Sequence, residues 1–208
     1  MRANDSASAG GWLMRSLSRW SRQAGFSLAE TTIILAATSV LTATAAPSIM
    51  DYVAQARSIK ASGDIQVLVS AVSRLMFDVG RLSAAGAESP EMLVGPGEAV
   101  EAASPDTQPW TAGPDGGRVQ NLEDHLVTNT VGYKSRGAAG FSKGWGGPYV
   151  DKVPVDPWGH RYEVNIGSSG GVMLMLSAGP DGRVETPFSA PGLRVGGDDV
   201  VGLLGSRR

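Results

Sequence analysis

The chain contains 208 residues with a formal net charge of −2, 28 glycines, 12 prolines and no cysteine. This length accommodates one ordinary globular domain together with a targeting or anchoring segment. The lack of cysteine excludes disulfides, thiol nucleophiles and cysteine-based zinc sites. Four arginines and one aspartate give residues 1–25 a net charge of +3, so the remainder carries −5. This acidic remainder argues against nucleic acid as a partner, because a nucleic-acid groove needs clustered lysines and arginines.

Residues 1–25 form a basic head that is rich in serine, alanine and glycine and lacks apolar periodicity. We interpret this head as a leader peptide that takes no part in the fold. Because positively charged segments next to an apolar run stay on the cytoplasmic side, the rest of the chain is expected on the other side of the membrane.

Residues 26–50 contain an apolar run, which predicts a transmembrane and assembly helix. Residues 26–46 carry a single charge, Glu30, over a length that can cross a bilayer as a helix. Threonines and serines dilute the run, and small residues let helices approach each other closely, so we expect this helix to pack on copies of itself. An acidic side chain is costly in lipid, and Glu30 is therefore predicted to be functional.

Two cleavage sites fit this stretch. A cut between Gly25 and Phe26 would explain the glycine, which leaves the scissile bond accessible, and the position of Glu30 one helical turn further on. A conventional signal peptidase would instead use the small residues 43–46, so that the mature chain would begin at Pro47. That alternative leaves Glu30 unexplained.

Residues 51–82 are predicted to form an amphipathic helix, because apolar residues recur there at three- and four-residue steps. Pro47 is expected to kink the junction between this helix and the apolar segment before it. Residues 83–135 are loop-rich. Within them, residues 83–117 are interpreted as a long connection with room for a short helix at its centre, and residues 119–128 as a short helix.

Residues 136–208 are predicted to hold a small β-sheet and a C-terminal loop. Apolar residues alternate over residues 162–166, and residues 172–178 follow a turn rich in glycine and serine, which together predict an antiparallel hairpin. Further short strands are expected at 183–186 and near 200–204. A long helix packed on a small antiparallel sheet is an α+β roll.

The polar residues of the predicted domain have structural explanations. His125 is a lone histidine, which is more often a structural or surface residue than a ligand. Asp156 opens the sequence Asp-Pro-Trp-Gly, where it is better explained as the cap of a turn than as a catalytic group. The sequence shows no recognisable nucleophile–base pair, phosphate-binding loop or paired catalytic carboxylates, and we therefore expect that the protein is not an enzyme.

Four motifs resemble one protein family. GFSLAE (25–30), followed by an apolar run, resembles the signal of type IV pilins and type II secretion pseudopilins. GWGGPYVDKVPVDPWGHRYEV (144–164), LSAGPDG (176–182) and GGDDV (196–200) follow in that order after a long helix. This arrangement resembles the major pseudopilins, the G subunits of type II secretion.

The resemblance implies a type IV pilin-like roll: a leader at 1–25, an assembly helix at 26–50 and a periplasmic domain at 51–208. It implies that a prepilin peptidase cuts between Gly25 and Phe26 and methylates the new amine of Phe26. Glu30 would then neutralise the ammonium of Phe26 in a neighbouring subunit, and Pro47 would belong to the assembly helix.

The same resemblance implies a structural subunit of a periplasmic pseudopilus that drives protein export by type II secretion. The subunit would sit in the bacterial inner membrane with a single span and its globular domain in the periplasm. Its partners would be copies of itself, minor pseudopilins, the prepilin peptidase and the inner-membrane assembly platform. The alternatives are a type IV pilin or minor pilin for adhesion or DNA uptake, and a secreted calcium-binding domain with a conventional signal peptide.

The C-terminal loop contains a candidate calcium site. By themselves, Gly-Pro-Asp-Gly is a turn sequence and two adjacent aspartates are a solvated pair, whereas oxygen ligands on a glycine-rich loop also suit Ca²⁺. The resemblance to the pseudopilin calcium loop implies four ligand residues: the carbonyl of Ala178 and the carboxylates of Asp181, Asp198 and Asp199. Calcium would stabilise a loop that has no disulfide.

Overall fold

The computed structural model describes residues 25–80, 82, 89–114, 117–137, 143–166, 172–189 and 194–206, without the side chains of residues 44–48 and 206. Residues 1–24 of the predicted leader lie outside the described residues. The chain divides into two compact units, Met1–Pro47 and Ser48–Arg208, and each is considered by itself.

Helix α1 covers Leu28–Val79. It ends at Gly80, whose φ of +80° is a left-handed conformation that glycine adopts without strain. The predicted helix at 51–82 is therefore confirmed apart from its last residues. Helical assignment continues through Pro47, where the two units meet, so the kink there stays a prediction.

In the part of the chain that the structure describes, no helix is both long enough and apolar enough to cross a membrane. The transmembrane interpretation of residues 26–50 stays a prediction.

The second part of α1 supplies one side of the main hydrophobic core. Its buried face is at most 1% exposed at Ala61, Ile65, Leu68, Val72 and Leu75. Apart from Ala61, these side chains pack with buried residues in and beside the sheet and with helix α3 (Leu122–Leu126), among them Leu93, Tyr162, Val164, Met175 and Leu126. The predicted core face of an amphipathic helix is confirmed.

Five strands form the main sheet, in the spatial order β3–β1–β4–β5–β7. Their bounds are β1 Met92–Val94, β3 Val119–Asn121, β4 Glu163–Asn165, β5 Val172–Ser177 and β7 Val200–Ser206. β4 and β5 form the predicted antiparallel hairpin, and β7 pairs with β5, also antiparallel. β1 and β3 are parallel, so the sheet is mixed and not wholly antiparallel as predicted.

Three local predictions are corrected by the structure. The predicted connection at 83–117 contains strand β1, which lies inside the main sheet between β3 and β4. Residues 119–128, predicted as a single short helix, instead hold strand β3 followed by helix α3. The expected strand at 183–186 is β6 (Arg183–Val184), which leaves the main sheet and pairs with β2 (Glu101–Ala102). β1 was not recognisable because all of its side chains are buried, and a three-residue strand buried on both faces shows no alternation.

A second hydrophobic cluster covers the sheet face opposite α1. Its buried members are Met92, Val94, Val100, Trp110, Leu174, Leu176, Ala178, Val184 and Phe188. Trp110 lies in helix α2 (Pro109–Ala112), meets the Phe188 ring edge-on at 4.8 Å, and donates its indole N–H to the carbonyl of Thr186 at 2.9 Å. This cluster fixes the segment 184–188, which leads into the predicted calcium loop.

Candidate functional sites

The predicted cleavage site lies at the start of the described chain. A Cβ added to Gly25 would meet no atom within 4 Å, and Phe26 is 71% exposed. The bond between them is therefore in an open segment that precedes the first helical turn. This geometry suits access by a peptidase.

Glu30 lies in a capping box at the start of α1. The backbone N–H of Glu30 donates to the hydroxyl of Ser27 at 3.2 Å, and the backbone N–H of Ser27 donates to Oε2 of Glu30 at 3.4 Å. Such reciprocal bonds satisfy N–H groups that the first helical turn leaves unpaired. Glu30 thus has a local structural role as a helix cap, beside its predicted role in assembly.

Three carboxylates converge in the C-terminal loop. Oxygen atoms of Asp181, Glu185 and Asp198 all lie within 4.8 Å of one another, a spacing at which one cation can bind all three. Positive φ values of +69° at Gly179 and +71° at Gly182 allow the chain to turn on either side of Asp181. The structure therefore brings together two of the predicted aspartates and adds Glu185.

Asp199 has a different role from its neighbour Asp198. Its Oδ2 accepts the backbone N–H groups of Glu185 at 3.0 Å and Thr186 at 2.7 Å. Asp199 is 7% exposed, and its Oδ1 is buried without a hydrogen-bond partner among the described residues. Asp199 therefore holds the backbone beside Glu185 and leaves one oxygen available.

Close backbone packing places Glu185 at the cluster. A Cβ on Gly196 would lie 2.5 Å from the carbonyl oxygen of Glu185, and a Cβ on Gly197 would lie 2.5 Å from its Oε2. Both glycines thus let residues 196–197 lie against Glu185. The sequence offered only a weak signal for Glu185, an acidic residue four positions after Asp181, because its approach to Asp198 depends on the loop between them.

The electrostatics of the cluster favour a bound cation. Burial raises the pKa of Asp198 and of Glu185, and the neighbouring negative charge of Asp181 raises both further. Burial likewise raises the pKa of Asp199, against the opposing effect of the hydrogen bonds from Thr186 and Glu185. Carboxylates that repel one another at this distance gain free energy when a divalent cation lies between them.

The remaining predicted ligand, Ala178, is buried directly after β5 and two residues before the Pro180-Asp181 turn. Asp156 caps a turn as predicted: its Oδ1 accepts the backbone N–H groups of Trp158 at 3.0 Å and His160 at 2.8 Å. The expectation that Asp156 has a structural role is thus supported by its contacts.

Comparison with known proteins relates the chain to type II secretion. The family model "Type II secretion system (T2SS), protein G" matches residues 128–190. The type II secretion system core protein G of Pseudomonas aeruginosa is 26% identical over 163 residues, covering 78% of this chain and 87% of that protein. No solved structure matches the chain.

These matches agree with the order of the motifs and with an α+β fold in which a long helix lies on a small sheet. Pseudopilins of this family are structural subunits and not enzymes, and they function at the inner membrane or in the periplasm together with other components of the secretion system. The chain is thus similar to type II secretion protein G, and this similarity supports a pseudopilin subunit role in type II secretion.

Proposed function

We propose that this protein is the repeating subunit of a periplasmic pseudopilus, which polymerises through α1 and whose growth drives protein export. The observation that carries this proposal is the exposed apolar face of α1. Exposed apolar side chains that form a continuous surface commonly mark sites of protein association.

The apolar face of α1 runs along the helix on the side away from the core. Its large side chains are between 59% and 78% exposed: Ile49, Tyr52, Ile59, Val67 and Phe77. At 100° per residue they fall within an arc of about 80°, whereas the buried residues of α1 lie on the opposite side. We call these five residues the apolar stripe. The domain uses one face of α1 for its own core and leaves the stripe for a partner.

Gly63 supports a helix partner for the stripe. It lies on the same side of α1, and a Cβ added there would meet no atom within 4 Å, so the domain's own packing does not require a glycine. A glycine in the interior of a helix costs about 1 kcal/mol relative to alanine. Close approach of a second backbone explains why a glycine stands at this position, since small residues bring packed helices together.

We further propose that the amino terminus is made by cleavage between Gly25 and Phe26, followed by methylation of Phe26. The exposed Gly25–Phe26 segment supports this proposal. Glu30 would bind the ammonium of Phe26 in a neighbouring copy and so set the axial register of the subunits. The carboxylate has two oxygens, and the capping box uses only Oε2, which leaves Oε1 for that contact.

The proposal places the first half of α1 in the inner membrane before assembly, with one span and the globular domain in the periplasm. Threonines and serines dilute its apolar run, but described hydroxyls of this segment are bonded inside the helix. Thr32, Ser39 and Thr42 each donate to a backbone carbonyl at 2.8 Å. Internally bonded hydroxyls are less costly in lipid than free ones, and a weakly held helix is easier to transfer into a filament.

We also propose that the C-terminal loop binds Ca²⁺. The residues fit a hard cation, because carboxylates of Asp181, Glu185 and Asp198 converge there and Oδ1 of Asp199 is buried without a partner among the described residues. The buried carbonyl-bearing residue Ala178 is the fifth candidate ligand. When bound, the ion would neutralise the carboxylates and link residues 178–185 to residues 198–199.

Intact-mass and filament analysis in a type II secretion host test the function. We expect a mature chain that starts at N-methylated Phe26, filaments in the periplasm, and restored secretion in a strain that lacks its own major pseudopilin. The matched control is Gly25→Leu, which obstructs the scissile bond and should block both maturation and filaments. A mature chain beginning at Pro47, or secretion restored without any filament, would overturn the proposal.

A further inference from the structure

We propose that Asp156 and Ser177 are positioning residues for the calcium loop: they are not ligands, but they hold the backbone of residues 177–182 in the arrangement that binds the ion. The inference rests on the proposed calcium site. It assigns a function to the Asp-Pro-Trp-Gly turn, which the sequence alone explains only as a turn.

The carboxylate of Asp156 links two segments of the chain. Its Oδ1 accepts both N–H groups of its own turn, from Trp158 and His160. Its Oδ2 accepts the hydroxyl hydrogen of Ser177 at 2.6 Å. Asp156 is 4% exposed and Ser177 is fully buried, so this short bond is shielded from water and is of the charge-assisted kind.

Ser177 connects this carboxylate to the calcium loop. It is the last residue of β5 and directly precedes Ala178. Its Oγ also lies 3.4 Å from the backbone nitrogen of Gly179, which donates to it. The hydroxyl therefore donates to Asp156 and accepts from Gly179, and it fixes the peptide group between Ala178 and Gly179.

Gly179 in turn lies against a ligand residue. A Cβ at Gly179 would be 2.6 Å from the carbonyl oxygen of Asp198 and 3.1 Å from its Oδ1. A displacement of Gly179 would consequently displace Asp198 relative to Asp181. The contacts form a continuous path from Asp156 through Ser177 and Gly179 to Asp198.

The same turn supports the loop at a second point. The imidazole of His160 packs on Gly182, where an added Cβ would lie 2.6 Å from Nε2. Gly182 directly follows Asp181. The Asp156–His160 turn therefore contacts the loop at Ser177 before Asp181 and at Gly182 after it.

A turn cap alone does not explain the aspartate. An asparagine would cap the turn equally well, since both turn N–H groups go to a single oxygen, Oδ1. Burying a carboxylate is costly unless both oxygens are compensated. The hydrogen-bond partner of the second oxygen is the Ser177 hydroxyl at 2.6 Å, whereas Nδ1 of His160 lies 3.9 Å from it, so the short bond of Oδ2 is made to the loop.

Calcium titration of the full-length protein in detergent tests this inference, with Ca²⁺ measured by calorimetry and Tb³⁺ by luminescence. We expect Ser177→Ala to weaken Ca²⁺ binding about 10-fold to 100-fold, the range usual for residues that orient metal ligands. Asp156→Asn is the second variant, because it keeps the turn cap and alters the oxygen that accepts the Ser177 hydroxyl and lies 3.9 Å from Nδ1 of His160. It should weaken binding in the same direction.

Tyr162→Phe is the matched control. It removes another buried hydroxyl of the domain, which donates to Asp64 of helix α1 at 3.2 Å. It should lower the melting temperature equally with and without Ca²⁺ and leave the affinity unchanged.

The outcomes separate this inference from the proposed site. If the wild type binds Ca²⁺ and both variants bind it as tightly while melting at lower temperature, Asp156 and Ser177 are structural only and the inference is wrong. If the wild type itself shows neither calcium heat nor Tb³⁺ luminescence, the calcium site is wrong and the inference falls with it.

Discussion

The imidazole of His125 lies with Nδ1 2.7 Å from the hydroxyl oxygen of Tyr133 and Nε2 2.9 Å from Oε1 of Gln120. Because Oε1 only accepts, Nε2 donates to Gln120 and Nδ1 accepts from the Tyr133 hydroxyl. This pairing requires a neutral ring. Burial lowers the pKa of His125 to about 4, against the opposing charge of Asp124.

This pairing predicts acid sensitivity. The folded-state pKa of His125 is below the unfolded value of about 6.5, so the contribution of the neutral ring is complete above pH 6.5 and is lost as the pH falls toward 4. At about 1.4 kcal/mol per pKa unit, the difference between about 6.5 and about 4 corresponds to a loss of at most about 3.5 kcal/mol. Urea unfolding between pH 7 and pH 4 measures it. His125→Gln should remove most of this slope, and an unchanged slope would contradict the assignment.

Glu163 predicts the opposite dependence on pH. Its Oε1 accepts from Nε of Arg161 at 2.6 Å, and its Oε2 is buried without a partner among the described residues. Burial raises the pKa of Glu163 to about 8, although Arg161 opposes the shift. A raised folded-state pKa means that stability is complete below about pH 4.5 and is lost as the pH rises through 8.

Unfolding free energies between pH 6 and pH 9 test the Glu163 prediction. Glu163→Gln should flatten the decrease, since the amide does not ionise. The control is Glu91→Gln, which alters a more exposed ion pair with Arg118 and should retain the slope. Equal slopes in the wild type and in Glu163→Gln would show that Glu163 is not the titrating group.

Gly63 predicts opposite effects on stability and assembly. Because its Cβ position is open space, Gly63→Ala should stabilise the domain by about 1 kcal/mol through helix propensity. Gly63→Leu should fold but reduce filament yield severalfold, since a large side chain separates the packed helices. Thermal melts and electron microscopy of filaments measure the two effects.

Arg57→Leu is the matched control for Gly63. It adds the same side chain at an exposed position of α1 outside the apolar stripe, so it should leave the filament yield unchanged. Normal filaments from Gly63→Leu would exclude close helix packing at this position.

Glu30 has two possible roles that a pair of substitutions separates. Glu30→Gln keeps a hydrogen-bond acceptor for the Ser27 N–H and removes the charge, whereas Glu30→Ala removes both. If the charge binds the ammonium of Phe26, both variants should be processed normally and both should lose filament assembly. Cleavage is followed by intact mass and assembly by shearing of filaments. Normal assembly of Glu30→Gln would show that the cap is the essential role.

Calcium removal and the substitution Glu185→Gln test whether Glu185 is a calcium ligand. Chelator should lower the melting temperature of the wild type, because the ion binds only the folded loop. Glu185→Gln and Asp198→Asn should both reduce this response, whereas Asp106→Asn, an exposed substitution outside the loop, should not. A full calcium response in Glu185→Gln would remove Glu185 from the ligand set.

Local sequence patterns predicted several elements correctly. The core face of α1 and the β4–β5 hairpin follow from periodicity, a property of residues close together in the chain. The same reasoning places the Glu163 side chain between Tyr162 and Val164, on the opposite face of the strand, where alternation suggests solvent. The structure buries it, because the segments around Trp110 and Phe188 cover that face.

By itself, the sequence determined the cleavage motif, the amphipathic helix, the hairpin and the family resemblance, since each depends on residue types at fixed short spacings. Only the tertiary structure placed Glu185 beside Asp181 and Asp198, gave Asp199 its backbone contacts, and joined Asp156 to Ser177. Apart from Asp181 and Glu185, which are four positions apart, these contacts link residues 13 to 21 positions apart through loops whose path depends on the whole core. Spacing along the chain does not encode such distances, because they result from how the sheet and its covering loops pack.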